Sequence, residues 1–195
     1  MKDEIFRVAR VSDQLVSMHA YLRDRYARRA KTLDVVLIFI SIWLAALSFA
    51  PSKVDQLFTP FAIDPAIWLS CLGVLIVCLA VLEHQVSWKE LSASHAKAVV
   101  FYANIKQECR SLTADAPAES ECSRVIQAFR MASEVCVAIP EHLFLNLKRK
   151  HRQKVLISKL LDRNPNLNIF VLKVRFALVG IIDAISAEKY EIEAE

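Results

Sequence analysis

Glycine is what this sequence most lacks: Gly73 and Gly180 are the only two in 195 residues, where average usage would give roughly fourteen. A P-loop requires at least two closely spaced glycines and a dinucleotide fingerprint three, because backbone must approach phosphate with no side chain between them. Neither can be built here. No CxxC pair occurs among Cys71, Cys78, Cys109, Cys122 and Cys136, and the first two lie inside an apolar run. Neither a zinc site nor a disulfide framework is indicated, and the thiols read as free, reduced and packed as small hydrophobes. No nucleophile motif or metal spacing gathers the Asp, Glu and His residues. The chain is therefore not expected to be an enzyme or to carry a cofactor or metal. A net charge of +4 and a pI near 8.8 are too mild to argue for direct nucleic-acid binding, which is not expected.

What the sequence does contain is two long apolar runs within a hydrophobic fraction of 55%. Leu33 to Ala50 carries one charge, Asp34, at its edge, and its eighteen residues reach about 27 Å as a helix, enough for a hydrocarbon core. Pro65 to Leu82 carries none. Asp64 followed by Pro65 supplies an N-cap and a favoured first helical position, and Trp68 suits an interface belt. A signal peptide does not fit the first run, because thirty-two polar and amphipathic residues precede it and no small-residue cleavage site follows before Pro51. Two buried helices of a soluble protein would need more chain around them than 195 residues supply.

Residues 1–32 carry eight Lys and Arg, whereas residues 51–64 carry only Lys53. The basic excess places both termini in the cytoplasm and 51–64 in a periplasmic loop. Arg28, Arg29 and Lys31 stand where they can snorkel to headgroups of an anionic bilayer.

No proline or glycine interrupts Met1 to Ala50 or Val74 to Ala116, so each span is expected to run on as one helix into the cytoplasm. The two extensions, 1–32 and 83–116, should then pair. On the first, Val8, Val11, Leu15, Met18 and Leu22 recur at steps of three and four. On the second, Trp88, Leu91, His95, Ala98, Tyr102, Ile105, Cys109 and Leu112 do the same. Both read as a coiled-coil-like seam serving helix pairing or oligomerisation. His95 falls on that seam and reads as a packed residue without chemistry.

Residues 117–195 form a C-terminal helical region: one helix from about Ala118 to Ile139, then, after Pro140, a basic helix from about Glu141 to Arg163. Segment 147–154 holds Lys148, Arg149, Lys150, His151, Arg152 and Lys154, suited to RNA, anionic lipid or an acidic partner, with a merely solvated face the alternative. The apolar stretch Leu167 to Ile182 contains Lys173 and Arg175 near its middle. It reads as a helix buried against the cytoplasmic domain or between subunits rather than a third span. Within the spans, Ser41, Ala45 and Ser48, and Ser70 with Gly73, are small positions suited to close packing, with pore lining the alternative. The expected fold is thus an all-α membrane protein, a two-transmembrane helical hairpin (33–50 and 65–82) with long cytoplasmic extensions.

Two spans on long helices, LEHQVSWKELSASHAKAVVFYANIKQECR after the second span, and IPEHLFLNLKRKHRQKVLISKLLDRNP resemble the SLATT domain. The resemblance is carried by Trp88, Tyr102, Pro140, Lys148, Lys150, His151, Lys154, Ser158 and Pro165 and covers nearly the whole chain. That family comprises two-transmembrane proteins of bacterial anti-phage defence operons. It implies an abortive-infection effector that homo-oligomerises in the inner membrane and forms a pore or otherwise disrupts it. The trigger would come from an operon-encoded partner: a sensor, a nucleotide-second-messenger synthase or a reverse transcriptase. One departure bears on mechanism: the spans hold no charge ring of the kind that selects ions. A non-pore anchor or scaffold that recruits a cytoplasmic partner is the alternative.

Overall fold

The computed structural model describes residues 2–49, 64–114 and 119–176, all helical or in short turns and connections, with no strand among them. The expected loop 51–64 lies outside the described residues except for Asp64. Helix α1, Lys2–Ser48, is a single 47-residue helix, about 70 Å long. It runs unbroken from the amphipathic segment through the first apolar run, with Asp3 and Glu4 in its first turn favouring the positive end of the helix dipole.

Helix α2, Pro65–Val86, starts where the Ala66 amide donates to the Asp64 carboxylate at 2.8 Å. It does not run on. Ser87 adopts the left-handed conformation (φ 47°, ψ 43°), its amide closing α2 on the Glu83 carbonyl, and its own carbonyl accepts from Leu91 to open helix α3, Trp88–Ala114. The expectation of one uninterrupted helix is corrected here. Absence of glycine and proline did not guarantee continuity, because serine can occupy the left-handed region at a cost of roughly 1–2 kcal/mol when its surroundings hold it there.

α1 and α3 lie antiparallel: Asp34 pairs with Lys89, Arg23 with Ser92, His19 with His95 and Asp13 with Lys106. Helix α4, Glu119–Val135, closes a three-helix core. In it Cys122, Val125 and Ala132 join Ile5 and Val8 of α1 and Ala98, Tyr102, Ile105 and Cys109 of α3, with Phe129 packed alongside. α4 stops short of the expected Ile139, consistent with the disfavour of helix before Pro140.

The seam on α3 follows the expected positions, but that on α1 shifts. Val11 is 37% exposed, while Ser12 and His19 are buried beside Met18. The governing heptad starts at Ile5 and runs through Val8, Ser12, Leu15, His19 and Leu22. Choosing apolar residues alone replaced two polar seam positions by their neighbours.

The chain divides into two compact units, the first ending at Ala138 and the second beginning at Ile139. In the second unit, helix α5 spans Glu141–Arg163 and buries Leu147, and residues 169–176 are helical. Leu172 is buried, but Ile169, Phe170, Val171 and Val174 are exposed. Within one chain the described part of 167–182 is thus largely uncovered, burial between subunits being a matter for the assembly, and 177–182 lie outside the described residues.

Candidate functional site

The two apolar runs are long and apolar enough to cross a membrane, with mean hydropathy of 2.0 in α1 and 2.5 across α2. They are also largely uncovered, although Leu33 and Leu47 of the first run are buried. α2 buries no residue, and Ile38, Phe39 and Ile42 on α1, with Ile67, Val74 and Val77 on α2, are each more than half exposed. Among the small positions, Ser41, Ala45, Ser48 and Ser70 are exposed and Gly73 half-exposed. The Ser48 and Ser70 hydroxyls donate to the Leu44 and Ala66 carbonyls one turn back, both at 2.8 Å. They are satisfied by their own helices and need neither water nor a partner. A Cβ on Gly73 would meet nothing within 4 Å. Among the described residues, therefore, no second helix approaches closely at Gly73.

At the opposite end of the seam chemistry is concentrated in rings. Nδ1 of His19 lies 2.9 Å from Nδ1 of His95, so one imidazole donates and the other accepts. Tyr26 stacks on His95 (5.6 Å between centroids, 4°), His19 on Tyr102 (5.6 Å, 16°), and Tyr102 meets Phe129 at a tilt (6.1 Å, 59°). Five rings from α1, α3 and α4 thus form one ladder. Burial, and secondarily the facing His95, lowers the His19 pKa to about 4; burial also lowers that of His95. Tyr102 is pushed up to about 12, chiefly by burial. Both histidines are consequently neutral near pH 7, and the pair is a hydrogen bond between neutral rings. Among the described residues no group of three His, Cys, Asp or Glu could hold a metal.

His19 was missed in the sequence. Extending the heptad from Ile5 would have placed it on the seam, facing His95. Ser12, on the same seam, is fully buried and its hydroxyl has no partner among the described residues. Beside the ladder, the Lys106 ammonium donates to Asp13, and Ser92 donates to the Arg23 carbonyl at 3.1 Å.

Between the apolar runs and the ladder lies a charged junction. Lys89 donates to Asp34 at 2.8 Å and to Glu83 at 2.7 Å, and these two carboxylates raise its pKa. The one charge at the edge of the first run is thereby paired across to α3. A cleft of about 290 Å³ opens beside Ser87, lined by Ala30, Ala80, His84 and Trp88 among others.

The expected seam residues divide into two groups. His95, Ala98, Tyr102 and Ile105 are buried, whereas Trp88 and Leu91 are half-buried. α1 and α4 of the same chain cover the buried ones, so these serve packing within one protomer. In the second unit Arg149, Lys150, Arg152 and Lys154 are exposed, and Lys148 and His151 half-buried. No family model, curated protein or solved structure matches the chain.

Proposed function

We propose that the chain is a membrane effector held in the bacterial inner membrane by two spans, with both termini in the cytoplasm. On this reading copies assemble through the spans and, when an operon-encoded partner triggers them, open a pore or otherwise breach the bilayer. The observation that carries the membrane part is the uncovered apolar band on α1 and α2, continuous with a bundle whose own core is closed. Such a band in water would greatly exceed the apolar patches soluble monomers tolerate. In lipid it costs nothing, and helices satisfy their backbone polar groups without water.

The defence role rests on the resemblance to the SLATT domain. Absence of a charge ring from the spans favours a breach by assembly, or a hydrophobic gate that opens by wetting, over a selective channel. A second reading, an anchor that recruits a cytoplasmic partner, is favoured by the seam being filled within one chain. Expression with the cognate trigger, followed by a membrane-potential dye, separates the two. The effector depolarises the cell, and the anchor leaves the signal flat.

A further inference from the structure

Net positive charge is greatest in one stretch of the chain. Residues 141–176 carry nine Lys and Arg against Glu141 and Asp162, a net +7; the whole chain is +4, which leaves −3 for the remainder. On α5 this charge has a geometry. Leu145, Arg149, Arg152, Leu156, Lys159 and Arg163 follow one another at steps of four and three and are all exposed, forming a single stripe about 27 Å long. Leu145 is 75% and Leu156 49% exposed, and buried Leu147 lies on the other side of the helix.

We propose that this stripe is a docking surface for the anionic headgroups of a bilayer, with the two leucines inserted among the acyl chains and the guanidinium and ammonium groups on phosphate. Here the leucines and the basic groups share one face, and the long Arg and Lys side chains can reach phosphate past the leucines by snorkelling. From Leu145 to Arg163 the stripe carries no acidic side chain to repel phosphate, Glu141 standing one turn before its start, and no aromatic ring on which a nucleic-acid base could stack. Phe170 and Val171, 73% and 59% exposed, stand beside Lys173 and Arg175 in the same unit and add to the apolar and basic surface. The inference rests on the membrane reading above, under which the chain tethers the second unit to the spans and raises its effective concentration at lipid.

The test uses the full chain in nanodiscs of phosphatidylcholine alone or mixed with phosphatidylglycerol. Leu156→Cys on the stripe and Ser158→Cys on the opposite side report maleimide reactivity, resolved by peptide mass spectrometry. Anionic lipid should slow alkylation at 156 at least tenfold while leaving 158 unchanged, and 0.5 M salt should remove the difference. Each basic residue near the surface contributes roughly fivefold to docking, so Arg149→Gln/Arg152→Gln/Lys159→Gln should weaken docking about a hundredfold and abolish the slowing. Equal rates at 156 in both lipids, or slowing that appears only when RNA or a protein partner is added, overturns the proposal. Alkaline carbonate extraction reads the span reading separately. If carbonate releases the chain, the spans fail, and the stripe must then stand on salt-sensitive sedimentation of the chain with phosphatidylglycerol vesicles; without that sedimentation it falls too.

Discussion

His19 and His95 can share a proton across 2.9 Å only while one ring remains neutral. Protonating the accepting nitrogen turns a hydrogen bond into two opposed N–H groups, beside a Tyr102 whose pKa burial pushes up to about 12 and which therefore offers no negative charge. The folded pKa of His19 lies at about 4, below its ordinary 6.5, so the unfolded or opened chain binds the proton more readily. The sign follows: stability is fully present above pH 6.5 and falls as pH drops through 4, by roughly 3 kcal/mol for this one group. Thermal melts of the reconstituted protein at pH 7 and pH 4.5 should show a large fall in Tm. In the His19→Leu/His95→Leu variant the fall should shrink markedly. An unchanged pH dependence in that variant would assign the acid sensitivity elsewhere. Sequence periodicity could find His95 but not its role, because a lone histidine on a seam acquires one only from the residue opposite. That residue was hidden by preferring Met18 to its polar neighbour.

At the scale of elements, the helices were legible where pattern and composition agreed. The α3 seam from Trp88 to Leu112, the start of α2 at Asp64, and α5 from Glu141 to Arg163 all follow from heptads, caps and prolines. The break at Ser87 was not, because no residue there is a helix breaker and tertiary pairing of Lys89 with Asp34 and Glu83 accompanies it. Ser87→Gly should be tolerated or raise stability by about 1 kcal/mol, since glycine enters the left-handed region without a Cβ clash. Ser87→Val should lower Tm, and equal melting of the two variants would argue against the left-handed joint. The seam also has a sharper test than its periodicity allowed. Ile105 is 6% exposed within the core of one protomer, so Ile105→Lys places an unpaired charge there and should cost several kcal/mol. Denaturant unfolding should reveal a destabilised bundle. A variant that stays fully folded yet no longer assembles would show instead that Ile105 faces a second copy.

Over the whole molecule, hydropathy announced two apolar runs, but only the three-dimensional arrangement tells which surfaces remain uncovered. Small residues in the runs suggested close helix approach, and Gly73 has none among the described residues of its own chain. Gly73→Leu should therefore leave protomer folding intact, with a Tm within about 2 °C of the parent, as expected for a surface change worth under 0.5 kcal/mol. Crosslinking at matched expression then isolates assembly. Loss of oligomer in a normally folded Gly73→Leu protein assigns Gly73 to contact between copies, and retention assigns it to lipid.

The unbroken backbone of α1 beside the break at Ser87 also has a mechanical meaning. Bending resistance of a helix comes from its ladder of hydrogen bonds, and compliance gathers where that ladder is interrupted. α1 is accordingly a stiff beam over about 70 Å, while its antiparallel neighbour is a jointed strut. Torque applied to the ring ladder passes along α1 as rotation of the whole rod. On the other side bending gathers at Ser87, where Lys89 of α3 ties Glu83 of α2 and Asp34 of α1 together.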